Sequence, residues 1–169
     1  EPLENGMGFA YLAFGNQLGA IDLADGADGQ VDLWSNRNVN THYAFTTTTA
    51  GDQTGFSIAD AGDINNDGTT DLIIGSQGLG GNGSAYVVFG GSASLAANDT
   101  ADGATDQLST LDRAGVTGVN QFQINGFQAG SSVGNTVSAA GDINGDGFDD
   151  LIIGANEAEG GGRLSAGGG

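Results

Sequence analysis

The chain has 169 residues, of which 33 are glycine and one is proline, and 21 acidic residues against three arginines leave a net charge of -18. Such a balance makes nucleic acid and anionic membrane surfaces poor partners, and the absence of cysteine excludes disulfides, thiolate zinc sites and a cysteine nucleophile. The glycines are not spaced in threes and 38 % of residues are hydrophobic, which excludes a collagen-like or disordered chain and suits one all-β domain with many tight turns.

Taken in chain order, the first ordered pattern is GFAYLAFG, Gly8 to Gly15, where Ala10, Leu12 and Phe14 alternate with Tyr11 and Ala13. This predicts a strand covered in part on both faces. A polar connector follows from Asn16 to Asn40, with Asp22, Asp25, Asp28 and Asp32 spaced three, three and four apart. Without alternating donors, that spacing suits a solvated loop better than a metal site. Trp34, beside Asp32, suits packing on the connector better than a carbohydrate platform. His42, the one histidine, has no acid near it in a motif and is expected on the surface. A Ser-His-Asp arrangement would have to use it, and no paired-carboxylate signature stands out, so the residues give no sign of an enzyme.

Tyr43 to Thr49, YAFTTTT, is aromatic and β-branched and predicts a second strand. After a turn comes GFSIADAGD, whose counterpart is GNTVSAAGD, Gly134 to Asp142; alternation puts Phe56, Ile58 and Val137 inward. The next stretch, AGDINNDGTTDLIIG from Ala61 to Gly75, returns seventy-nine positions later as AGDINGDGFDDLIIG, Ala140 to Gly154. Oxygen donors occupy alternate positions in both copies: Asp63, Asn65 and Asp67 in the first, Asp142, Asn144 and Asp146 in the second. A carboxylate follows at position nine, Asp71 or Asp150.

These spaced donors fit calcium, which takes six to eight oxygens in a flexible shell. Gly68 and Gly147 would supply a positive φ at the bend, and the carbonyls of Thr69 and Phe148, at position seven, are the expected backbone ligands. Asp149, at position eight, should point away from the ion. An EF-hand would need a bidentate Glu at position twelve and flanking helices; here position twelve is Ile74 or Ile153. LIIG reads as a short buried strand, so each loop joins strand to strand. A metal-free turn rich in Asn, Asp and Gly uses the same residue types, but it needs two or three of them rather than five spaced donors repeated twice.

Next come the turn GLGGNG and GSAYVVFG, Gly83 to Gly90, which repeats the opening strand. A long polar connector, Gly91 to Asn120, is expected to be an excursion on one rim. Phe122 and Ile124 then restart the strand pattern, which runs to Gly154. The tail GGRLSAGGG, Gly161 to Gly169, stands where a further AYVVFG strand is due and lacks its apolar pattern. Four candidate strands per period of seventy-five to seventy-nine residues is the arithmetic of a propeller blade.

FSIADAGDINNDGTTDLIIGS followed by GSAYVVFGG resembles the FG-GAP repeat of integrin alpha-subunit β-propellers and of large secreted bacterial proteins with tandem copies. The resemblance implies an all-β fold of FG-GAP β-propeller blades, with calcium loops between the first and second strands of each blade. It divides the chain into the end of a preceding repeat (1–15), an acidic connector (16–42), a repeat with its loop at 63–71 (43–90), a polar connector (91–120) and a second repeat with its loop at 142–150 (121–169). About two repeats cannot close a seven-bladed ring. The chain is therefore expected to be a piece of a longer one, in keeping with Glu1 falling within a pattern, or to pack against further subunits. Two Ca2+ ions, no nucleic acid, no membrane insertion, and a protein or carbohydrate ligand are the implied partners. The implied role is a non-catalytic structural or adhesive module outside the cell, on a bacterial surface or secreted; the alternative is an accessory propeller portion of a secreted hydrolase such as a phospholipase.

Overall fold

A computed structural model describes residues 7–20, 33, 42–78, 81–101, 108–111, 120–126 and 130–156. The expectations for the acidic cluster Asp22 to Asp32, for Trp34 and for the tail from Gly161 to Gly169 fall outside those residues. Within them the β-branched and aromatic runs form strands β1 (Ala10–Ala13), β2 (His42–Thr46), β3 (Thr54–Gly62), β4 (Asp71–Ser76), β5 (Ser84–Val88), β6 (Leu108–Thr110), β7 (Gln121–Asn125), β8 (Thr136–Gly141) and β9 (Asp150–Gly154). Helix α1 (Ser92–Ala101) lies between β5 and β6.

The strands form three sheets among the described residues. The central sheet has the order β3-β4-β5-β7 and is antiparallel throughout, the arrangement of one whole four-stranded blade. Flanking it are a sheet of order β1-β2-β6 and the hairpin β8-β9. The repeat explains the flanks. Ala10 stands opposite Phe45 on β1 and β2, as Ala85 stands opposite Ile124 on β5 and β7. Ala139 stands opposite Leu151 on β8 and β9, as Asp60 stands opposite Leu72 on β3 and β4, with the same irregular step one turn later. The β1-β2 pair thus corresponds to the outer two strands of a blade, and β8-β9 to the inner two.

Each face of the central sheet is buried against one flank. Ile74, Tyr86 and Val88 pack with Ala10, Tyr43 and Phe45 of the first flank. Ile73, Ala85 and Val87 pack with Val137, Leu151 and Ile153 of the second, and Phe89 meets Phe122 edge-on at 5.9 Å beside them. Period-two alternation along β4 and β5 delivers both sets, because a strand with both faces covered needs apolar residues at every position.

Glycine allows the sheets to approach closely at two repeat-related places. A Cβ on Gly8 would lie 2.0 Å from the Thr54 carbonyl oxygen, and one on Gly83 would lie 2.2 Å from that of Val133. Gly83 also makes an isolated parallel bridge to Val133.

Three sequence expectations are corrected. Phe56 and Ile58 do not face a closed interior: they are 51 % and 50 % exposed, while Val137 packs inside the second interface. Alternation assigns the right face of β3, but among the described residues the flank opposite it holds β1, β2 and β6 and no counterpart of β3 or β4, so that face is open there. His42 is fully buried rather than on the surface. Its Nε2 lies 2.8 Å from the Leu33 carbonyl oxygen, and every residue of β2 is buried. The second connector is more than a rim excursion, since it holds α1, and its strand β6 pairs in parallel with the outer edge of β2. Leu95 anchors the helix at 4 % exposure.

Candidate metal loops

Both candidate loops sit where the sequence puts them, between the first two strands of a blade: 63–70 joins β3 to β4 and 142–149 joins β8 to β9. Two left-handed positions shape each loop. Asn66 and Gly68 have φ of 56° and 86°, and Gly145 and Gly147 have 77° and 92°. These positions turn successive backbone N–H groups inward, and the acidic side chains accept from them.

In the first loop Asp63 takes the N–H groups of Asp67 and Gly68, each at 2.9 Å. Asn65 Oδ1 also accepts from Asp67 N–H, and Asn65 Nδ2 donates to Asp67 Oδ2. Asp67 Oδ1 accepts from the Thr69 amide and hydroxyl. The second loop repeats the scheme: Asp142 takes Asp146 and Gly147, Asn144 takes Asp146 and donates to it, and Asp146 takes Phe148. Two stretches with different residues at three positions, Asn66/Gly145, Thr69/Phe148 and Thr70/Asp149, fold to one network, so the network belongs to the shared donors and glycines.

Position nine closes each loop. Asp71 is buried, and its two oxygens accept from Ile64 N–H at 3.0 Å and Gly90 N–H at 2.8 Å. Asp150 Oδ2 accepts from Ile143 N–H at 2.8 Å in the same way. Burial pushes the Asp71 carboxyl up from its ordinary value; the two backbone N–H groups oppose this, and the charges of Asp67 and Asp63 add to it. Hydrogen bonds from Thr69 and Asn65 hold Asp67 down, and Gly147 first among the backbone donors holds Asp142 down.

The donor chemistry fits a hard cation. Every side chain at the four ligand positions offers oxygen, and an ionised carboxylate has lone pairs beyond the one or two used on the loop backbone. The negative charges of Asp63 and Asp67 both bear on Asp71, and a divalent ion held among them would relieve that repulsion. Among the described residues no three Asp, Glu, His or Cys side chains are drawn together as a ready metal cluster; here the carboxylates at the ligand positions accept from N–H groups of their own loop, and Asp71 from Gly90 as well. Asp149 does point away from its own loop. Its Oδ2 accepts from Asp63 N–H at 2.8 Å, against Gly62, where a Cβ would come within 2.3 Å of that same oxygen. The second loop therefore braces the first, a contact between repeats for which the sequence held no signal.

The protein-family model for the FG-GAP repeat matches residues 56–88 and 133–166. Two stretches of the chain thus match the FG-GAP repeat. The first FG-GAP match spans β3, its loop, β4 and β5, and the second spans β8, its loop and β9. FG-GAP repeats and blades are therefore out of phase, because the fourth strand of the central blade, β7, comes from residues between the two matches. No curated protein matches the chain. Among the described residues no helix is long and apolar enough to cross a membrane.

Proposed function

We propose that the chain is a non-catalytic, calcium-binding structural or adhesive module of an extracellular protein, built from FG-GAP repeats that continue into an assembly. The observation that carries the calcium reading is the duplication of one loop, donor for donor and with the same backbone N–H groups on its first carboxylate, in two stretches that match the FG-GAP repeat. Asp63, Asn65, Asp67, Asp71 and the Thr69 carbonyl would hold one ion; Asp142, Asn144, Asp146, Asp150 and the Phe148 carbonyl would hold the other. When bound, calcium would supply positive charge and fixed coordination at a loop whose sequence carries three ligand-position carboxylates. The chain's own residues orient the donors, through the left-handed bends at Gly68 and Gly147, and clamp the loop ends through Asp71 and Asp150. The reading as a non-enzyme is supported by His42, whose buried ring is committed to the Leu33 carbonyl.

Limited proteolysis tests this reading. With calcium at saturation the β3-β4 and β8-β9 loops should resist cleavage, and they should be cut quickly in excess chelator or with magnesium alone, because Mg2+ demands a tighter octahedral shell than this flexible donor set offers. Equal cleavage in all three conditions would refute it.

A further inference from the structure

The bridge between the two loops is two-sided and rests on one pair of residues. Asp149 Oδ2 accepts from Asp63 N–H at 2.8 Å, and Asp149 N–H is directed back at the Asp63 carbonyl oxygen at 3.4 Å. Gly62 makes the approach possible, since a Cβ there would press on the Asp149 side chain at 2.6 Å. Asp63 is the first candidate donor of its loop. Asp149 stands between Phe148 and Asp150, which offer a carbonyl and a carboxylate to the other loop. Strands β3 and β8, which lead into the loops, are also tied at their far ends, where Ser57 Oγ donates to the Gly134 carbonyl at 2.7 Å. Between the two ties, Val137 and Leu151 pack against the cluster that holds Ala61 and Ile73.

We propose that Asp149 couples the two loops, so that a calcium ion in either one raises the affinity of the other. The proposal rests on the calcium reading above and adds to it a dependence of each site on its neighbour. Asp149 is a positioning residue: it is turned away from its own loop and acts on the other through the Asp63 backbone.

The coupling comes from a shared ordering cost. An ion in the second loop would fix Phe148 and Asp150, and with them the backbone of Asp149 between. The Asp149 carboxylate then holds the Asp63 amide by a charge-assisted hydrogen bond, which orients the first donor of the other loop before its ion arrives. A loop ordered in advance loses less conformational freedom on binding, and this gives positive cooperativity between sites. Linkage makes the effect reciprocal. Repulsion between two divalent ions opposes it, and the carboxylate that bridges the loops offsets that repulsion.

Titration calorimetry of the stripped chain tests the proposal. Asp146→Ala leaves only the first loop to fill and Asp67→Ala only the second, so the two single-site affinities can be compared with the two-site binding of wild type. Wild type should bind its pair of ions more tightly than the product of the single-site affinities by about tenfold, an ordinary size for coupling between sites. With Asp149→Ala added to each chain the factor should fall to about one, the value for independent sites. Asp149→Asn keeps the acceptor oxygen without the charge and should retain most of the coupling; if it behaved as Asp149→Ala, the hydrogen bond would not be the carrier and the positioning role would fall. Circular dichroism checks folding, and should Asp149→Ala not fold, the wild-type cycle still decides, because neither single-site variant touches Asp149. Hydrogen exchange gives an independent reading: in the Asp67→Ala chain, calcium in the second loop should slow exchange of the Asp63 amide, and unchanged exchange would contradict the mechanism. Two ions bound independently by wild type overturn the coupling and leave the calcium reading standing. An unchanged factor in Asp149→Ala overturns the role of Asp149, and a folded wild type with no calcium heat overturns both readings.

Discussion

Stripping calcium from the folded chain is expected to lower its melting temperature by roughly 10 to 20 °C. Among the described residues few large side chains are buried completely, with Phe45, Ile73, Ile74, Val87 and Val88 the main apolar ones, and the glycine content raises the entropy lost on ordering. No disulfide offsets that loss. A ligand that binds only the folded state stabilises it by RT ln(1 + [L]/Kd), about 2.7 kcal/mol per site at a hundredfold excess over Kd. Two sites then contribute on the order of 5 kcal/mol, comparable with the whole stability of a marginal domain. For a chain of this size each kcal/mol moves the midpoint by about 2–4 °C. Calorimetry in millimolar calcium against excess chelator reads the difference directly, and coincident melting curves would make the loops ordinary turns.

The second large effect is steric. Gly83→Ala and Gly134→Ala should each cost on the order of 4 kcal/mol or more, the range reserved for changes that no local adjustment can absorb. At Gly83 a Cβ would stand 2.2 Å from the Val133 carbonyl oxygen and 2.5 Å from its nitrogen, with φ at +70°. At Gly134 it would stand 2.1 Å from the Ser84 carbonyl oxygen, with φ at +84°. Backbone presses on backbone at both positions, so no side chain can swing aside. Gly15→Ala is the control, because nothing lies within 4 Å of its Cβ position and φ is not left-handed. Urea denaturation should leave Gly15→Ala within about 0.5 kcal/mol of wild type; a similarly small change at Gly83 and Gly134 would mean that the sheets are not held at this distance.

The central blade and both loops could be read from the sequence because each is a local pattern present twice. Alternation gives the strand, alternating oxygens and a glycine give the loop, and the second copy rules out coincidence. What stands opposite a strand is not a local property. Ile58 and Val137 occupy the same position in the repeat, yet one is half exposed and the other packed; only the order of the sheets distinguishes them. His42 had no motif around it because its burial comes from β2, whose five residues are covered on both faces. Helix α1 was hidden for a related reason: SASLAANDTA offers Leu95 as its one large apolar residue, too few to set a helical period. The Asp149 contact joins residues eighty-six positions apart, and nothing at position eight of the first loop, Thr70, foreshadows it.

The central claim is that each FG-GAP loop holds one calcium ion, and titration calorimetry of the stripped chain tests it most directly. The account predicts two sites per chain for wild type, one for Asp67→Ala, one for Asp146→Ala and none for the double substitution, with all four chains folded by circular dichroism. A folded wild type that gives no calcium heat, or a double variant that still binds two ions, would contradict it.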